Sequence, residues 1–296
     1  MKFLIMAFAR AARFYVRYFP FNVFKKALWA RISWRSYPYK ARTKFGALMS
    51  GVSSDAVQGR IYHFGIWEPN LTSFLIGRLS GQRGRTFIDV GANVGYFSIL
   101  AGKMMPEGCV VSIEAYPSIF QKLKGNVESN HLENVRLVQC AATAQAGSIE
   151  IFHAGEKNEG ATTTVKGRFN SSPLYVHGLP LFQILSESEI DTALIIKIDV
   201  EGAELSVIDG MKEMLDRFRD DVEIVVEISP SSTGDQSAAE ILDIFSRFGY
   251  YPYELANSYL DSAYLNPSDI VRPRRVINPL SQQTDIVFSK LDREFL

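Results

Sequence analysis

Cysteine and histidine are scarce in this chain of 296 residues, which has two cysteines, Cys109 and Cys140, and four histidines. Two cysteines cannot make a disulfide framework, and no CxxC or CxxH spacing points to a zinc site. Both sit in apolar, strand-like runs, so they read as small core side chains in a reducing compartment. Long apolar runs are missing too. The run at residues 3–9 falls far short of the ~20 apolar residues that a bilayer span needs. Lys2 and this run match the start of a secretory leader, although seven residues is a minimal core for one and Arg10 ends it. Acid is absent from the first 44 residues, which carry eleven Lys and Arg; the first carboxylate is Asp55. The zero net charge therefore hides a remainder with 21 basic against 32 acidic residues. Two opposed parts imply that the N-terminal segment has its own task.

What is present is apolar enough, at 47%, to exclude a disordered chain. In a helix, Arg10, Arg13 and Arg17 fall on one face, with Leu4, Ile5, Phe8, Ala11, Ala12 and Tyr15 largely elsewhere. This favours an interfacial cationic helix, the alternative being a basic helix packed on the domain's acidic surface. Pro20, Tyr37-Pro38 and the stretch 46–51 separate it from the rest of the chain. A further helix opens at Glu68-Pro69, with Leu71, Phe74, Leu75 and Leu79 at helical spacing. From Thr86 short β-rich runs alternate with amphipathic ones, the pattern of a parallel α/β sheet. Strands are expected at 86–90, 109–113, 135–141, 194–199 and 222–228, and helices at 94–105, 118–130 and 203–218. A helix near 238–248 and two more strands, 250–255 and 285–291, complete the series. The chain thus divides into a basic segment 1–44, a helical lead-in 45–83 and an α/β domain 84–296. Within that domain, a Gly/Thr/Ser-rich stretch at about 143–190 suits a hairpin or lid.

The sharpest local signal runs from Thr86 to Phe97. A strand ends in Asp89, the turn carries Gly91, Asn93 and Gly95, and a helix comes next. Such a turn lets backbone approach a ligand, and the helix start offers free N–H groups. Asp89 is placed to accept from a cationic amine. The second strand ends in Glu114, whose two oxygens can take both hydroxyls of a ribose lying across the strand ends. The turn is Gly-x-Asn-x-Gly rather than Gly-x-Gly-x-x-Gly, so it cradles a pyrophosphate poorly, and the acid before it repels one. The ammonium of a methionine moiety fits better. The second signal is Lys197-Ile-Asp199-Val-Glu201-Gly-Ala-Glu204 at the end of the fourth strand. Alternation puts Lys197 and Asp199 on one face. Gathered carboxylates need a cation, a base role or a lysine, although acids also suit a helix N-terminus. Glu227 is one more carboxylate at the same edge.

Together Asp89-Val-Gly-Ala-Asn-Val-Gly95 and Lys197-Ile-Asp-Val-Glu-Gly-Ala-Glu204 resemble the FkbM family of methyltransferases, and Glu68-Pro69 matches a Glu-Pro element of that family. The likeness covers about residues 62–230. It implies a class I methyltransferase fold, a Rossmann-like doubly wound sheet that is mostly parallel with an antiparallel final strand. It also implies S-adenosylmethionine as cofactor and methylation of a hydroxyl on a sugar, glycan or secondary metabolite. One departure is Leu181-Phe182, where the family usually shows Leu-Asp. On this reading Glu68, Asp89, Gly91, Asn93, Gly95 and Glu114 bind cofactor. Asp199 acts as base or cation ligand, Lys197 orients it, and Glu201 lines the mouth. A magnesium ion held by carboxylates is left open, since the histidines show no ligand spacing. Rival readings are a nicotinamide-dependent oxidoreductase, against which the Asn93 turn counts, and a membrane-bound non-catalytic adaptor. A nucleic-acid partner is not expected, because no basic or aromatic stripe accompanies the catalytic half. The expected setting is cytoplasmic, with residues 1–44 in peripheral contact with an anionic inner membrane face.

Overall fold

The computed structural model describes residues 2–19, 23–153, 162–163, 172–228, 235–258, 260–265, 271–277 and 283–296. The N-terminal part is a helix pair, α1 (Lys2–Tyr18) and α2 (Lys25–Ile32), then an antiparallel hairpin of β1 (Pro38–Arg42) and β2 (Leu48–Val52). The hairpin spans the division expected at residue 44, because two short strands of mixed composition gave no clear period. Asp55 caps α3 (Ala56–Phe64) by accepting from the Val57 and Gln58 N–H groups, and Pro69 opens α4 (Pro69–Leu79).

The central sheet is built from β3 (Thr86–Val90), β4 (Cys109–Ile113) and β5 (Val135–Val138), with α5 (Tyr96–Met104) and α6 (Pro117–Ser129) between them. The chain then leaves the sheet through β6 (Ala141–Ala142), β7 (Gly147–His153), β8 (Thr162–Thr163) and β9 (Leu174–Leu179). In the insertion β7 pairs antiparallel with both β8 and β9. Short helices α7 (Leu181–Ile184) and α8 (Glu187–Asp191) return it to β10 (Ala193–Ile198). After α9 (Glu204–Asp209) come β11 (Glu223–Ile228), α10 (Asp235–Arg247), β12 (Tyr251–Leu255), α11 (Asp261–Leu265), β13 (Arg274–Arg275) and β14 (Thr284–Ser289). The strand order is β13-β12-β14-β11-β10-β3-β4-β5. Strands β5, β4, β3, β10 and β11 are parallel, and β14 runs antiparallel to both its neighbours. This is the doubly wound sheet the motifs implied.

Alternation along the strands divides the core in two. Ile88, Val111, Ile196, Val226 and Phe288 face one way, toward α9 and α10. Phe87, Val110, Ile195, Val225 and Val287 face the other, toward α4, α5 and α6. One expectation fails here. The stripe at 203–218 suggested a continuous helix, but α9 ends at Asp209 and a 3₁₀ turn covers Lys212–Met214. At Gly210 the backbone passes so close to Thr143 that a Cβ would lie 2.1 Å from its carbonyl oxygen. Of the stripe residues, Ala203 is half-buried, while Val207, Ile208, Met211, Leu215 and Phe218 are buried nonetheless. Periodicity reported their burial correctly and their hydrogen bonding wrongly.

Candidate functional site

The turn after β3 is held together by backbone. Gly91 and Ala92 N–H both donate to the Ile113 carbonyl, and Asn93 N–H donates to Glu114 Oε2 at 2.9 Å. Glu114 Oε1 accepts from the Tyr116 N–H, also at 2.9 Å. Each carboxylate oxygen thus takes a backbone donor, and the Ala115 N–H adds to the same anchoring. Burial pushes the Glu114 carboxyl up to about 7, against the pull of the Tyr116 and Asn93 hydrogen bonds.

A cavity of about 410 Å³ opens over the carboxyl ends of the parallel strands, within the ~300–1,000 Å³ usual for small-molecule sites. Seven of the nine expected residues line it: Glu68, Gly91, Asn93, Glu114, Lys197, Asp199 and Glu201. Three of them, Glu68 (φ 39°), Asn93 (φ 51°) and Glu201 (φ 52°), are left-handed without being glycine. Only five such residues occur among the described residues. Strain of this kind costs about 1–3 kcal/mol each and gathers where a surface must be shaped for a ligand. The Glu68 N–H donates to the Tyr264 hydroxyl, which helps to hold that conformation.

The glycines of the turn serve the protein more than a ligand. At Gly91 (φ 81°) a Cβ would lie 1.8 Å from the Asp199 carbonyl oxygen, so the two motifs touch through this residue. Asp199 N–H donates to the Val90 carbonyl across the same contact. At Gly95 (φ 88°) a Cβ would meet Leu123 of α6 at 2.6 Å. Gly95 therefore permits helix packing, and it does not line the cavity. Asp89 does not line it either: the carboxylate is buried and takes the Ser98 hydroxyl at 2.6 Å. Expected as direct ligands, these two residues lie behind the wall, because β3 turns Asp89 toward α5.

Around Lys197 the sheet carries a row of charge. Lys197 stands level with Asp89 on β3, and Glu227 on β11 stands level with Asp285 on β14. All four share the sheet face that is apolar farther down, at Phe87, Ile195, Val225 and Val287. Lys197 Nζ reaches Asp199 Oδ2 at 2.9 Å and lies 5.2 Å from the Phe97 ring centroid. Burial alone would lower its pKa, but Asp199, Asp89 and Glu68 together hold it above the ordinary lysine value. Lys197 is a fixed cation and cannot serve as base. Burial, opposed by Lys197, pushes Asp285 up to about 7, and Asn257 donates to its carboxylate. Burial and the neighbouring Asp285 hold Glu68 well above the usual carboxylate range. Glu204 turns back into its own loop, where Oε1 accepts from Gly202 N–H at 2.9 Å. It is a structural acid at the start of α9.

Phe182, the residue at which the chain departs from the family's Leu-Asp pair, is exposed and does not line the cavity. Among the described residues no group of three His, Cys, Asp or Glu side chains is arranged to hold a metal ion. Arg60, Trp67 and Gln283 line the cavity without having been singled out by sequence. The Arg60 guanidinium lies 5.8 Å from the Trp67 ring centroid and 5.4 Å from that of Tyr264. Gln283 Nε2 donates to Glu227 Oε1 at 2.8 Å. A signal did exist for Asp285. The first residues of an antiparallel final strand necessarily lie beside the last residues of its parallel neighbours.

Several known proteins are similar to this chain. It is 22% identical over 173 residues to "Methyltransferase 1" of Beauveria bassiana, covering 52% of this chain and 68% of that one. It is 26% identical over 155 residues to "Methyltransferase sdnD" of Sordaria araneosa, covering 43% and 60%. A precorrin-6y C5,15-methyltransferase from Geobacter metallireducens superposes with a TM-score of 0.42 at 14% identity, over 75% of this chain and 88% of that one. The methyltransferase FkbM domain matches residues 89–252. That match takes in the turn after β3, Glu114 and the Lys197–Asp199 pair, and covers more than half of the chain, which therefore belongs to the FkbM methyltransferase family.

Proposed function

We propose that this methyltransferase acts on oxygen, placing a methyl group on a hydroxyl of a carbohydrate or secondary metabolite. The observation that carries the reading is that Asp199, ion-paired to Lys197 at 2.9 Å and partly open to solvent, lines the same cavity as Glu114. A nucleoside-binding acid and a candidate base thus share one chamber.

The residues fit S-adenosylmethionine. Glu114 would accept from the ribose hydroxyls, and residues 91–94 of the turn line the cavity beside it. The cavity wall carries more carboxylates than the two cations Lys197 and Arg60, which suits a cationic cofactor. When bound, S-adenosylmethionine supplies a methyl group made electrophilic by its sulfonium. The chain's own work is to hold the acceptor in line and take its proton. Asp199 does so with the oxygen that Lys197 leaves available. Lys197, charged throughout, fixes the carboxylate and is a positioning residue. Glu201, Glu227 and Gln283 offer acceptors and an amide to neighbouring hydroxyls, and Trp67 offers an apolar face, a combination suited to a polyhydroxylated acceptor. The family assignment replaces the nicotinamide reading.

Labelled-methyl transfer into fractionated glycan, lipid and metabolite pools tests this. Label should appear as an ether methyl, stable to the mild alkali that strips methyl esters, and only with an intact Asp199. Label on nitrogen or carbon would overturn the assignment to oxygen.

A further inference from the structure

Helix α1 lies on the domain by the side that its charge pattern would have turned outward. Ala12 and Val16 are buried in a small cluster with Trp29, Phe64 and Tyr264. Arg13 points the same way: its Nε donates to the Tyr62 carbonyl at 2.6 Å, and its guanidinium lies 4.5 Å from the Tyr62 ring centroid. Arg17 Nη1 donates to the Arg42 carbonyl at 2.7 Å. Backbone oxygens and rings, rather than an acidic surface, receive these two arginines.

What α1 leaves outside is aromatic. Phe8, Phe14 and Tyr18 fall within about a third of the helix circumference and are exposed, Phe14 at 67%. Phe24 and Trp34, at the two ends of α2, are exposed at 73% and 70%. Seven of the fifteen large apolar side chains exposed among the described residues lie between Phe8 and Trp34. Scattered exposure needs no explanation, but a cluster in one short stretch does. The charge within this stretch of chain has one sign: Lys26, Arg31 and Lys40 are exposed and no acid precedes Asp55. Between α1 and β1 lies a groove of about 460 Å³, lined by tyrosines, Arg13 and Lys40 with no carboxylate among them.

A second copy presenting the same face would bring like charges together around the aromatics, which opposes self-association. A surface that is anionic outside and apolar a few ångströms below matches both features. No helix among the described residues is long and apolar enough to cross a membrane. We propose that the outward face of α1 and α2 docks on an anionic lipid bilayer. Phe8, Phe14, Tyr18, Phe24 and Trp34 enter the interfacial layer, while Lys26, Arg31 and Lys40 meet headgroup phosphates, with the tyrosine-lined groove open to one of them.

The test is flotation of the full chain with phosphatidylcholine vesicles, with and without phosphatidylglycerol, at low and high salt. Binding to the anionic vesicles should exceed that to neutral ones at least tenfold at low salt. It should fall with salt as screening grows, leaving an apolar remainder. The variant Phe14→Ser, Phe24→Ser, Trp34→Ser alters only exposed side chains, so it should fold normally and lose that remainder. Trp34 is the exposed tryptophan of three, so its emission should move to the blue on anionic vesicles, and Trp34→Phe should abolish the shift. Indifference to anionic vesicles at low salt overturns the proposal. So does capture by a single-stranded RNA oligonucleotide, or a dimer lost in the triple variant, when vesicles are ignored. Each of these failures leaves the methyl-transfer reading standing.

Discussion

Glu114 is the side chain on which the proposed cofactor site most depends. Its backbone partners hold it in place, and burial keeps its carboxyl at about 7. Ribose hydroxyls donate to the ionised form, so binding should require loss of that proton. Affinity for S-adenosylhomocysteine should therefore fall by up to tenfold per pH unit below about 7 and level off above it. Calorimetry between pH 5.5 and 8 reads this directly; a flat profile removes Glu114 from the site. Glu114→Gln should flatten the profile and weaken binding by about 1–3 kcal/mol, the scale of lost hydrogen bonds to a charged group. The same raised value has a consequence for stability. The folded state keeps the proton that the unfolded chain releases near 4.5, so this group's contribution is greatest at acid pH and declines as pH rises toward 7. Residue identity and spacing made Glu114, Lys197 and Asp199 legible in sequence. Arg60 and Trp67 were not, because they precede both motifs and reach the cavity only through the packing of α3 and the turn before α4.

At the scale of elements, the site depends on two loops pressed together. Gly91→Ala would drive a Cβ into the Asp199 carbonyl at 1.8 Å while straining φ, so β3 and β10 must part where the motifs meet. A stability loss of about 2–4 kcal/mol is expected from overpacking plus left-handed strain. Gly125→Ala makes the opposite case: it is exposed within α6, nothing lies within 4 Å of the added methyl, and a gain of about 1 kcal/mol is expected. Thermal unfolding of both variants checks the pair, and equal shifts would contradict the geometry. Strands were legible where apolar runs were short and flanked by turns, as at Thr86–Val90 and Cys109–Ile113. The break in α9 was overlooked: Asp209-Gly210 is a local stop signal at the C-cap, but the apolar stripe continuing past it masked that signal, and the close approach to Thr143 that requires the glycine is not local.

Across the whole molecule, the antiparallel β14 returns Asp285 to the edge where Asp89, Lys197 and Glu227 already stand, and α3 with the turn before α4 closes the chamber through Arg60, Trp67 and Glu68. The central claim is that nucleoside recognition and proton removal are separate tasks of one cavity, assigned to Glu114 and Asp199. The most direct measurement takes cofactor affinity and methyl transfer on the same preparation of Asp199→Asn. Affinity for S-adenosylhomocysteine should match that of the parent chain, while transfer falls by about 10²–10⁴-fold, the usual cost of losing a general base. Full transfer by that variant, with its fold intact, would contradict the claim and move the search for the base to Glu201 or Glu227.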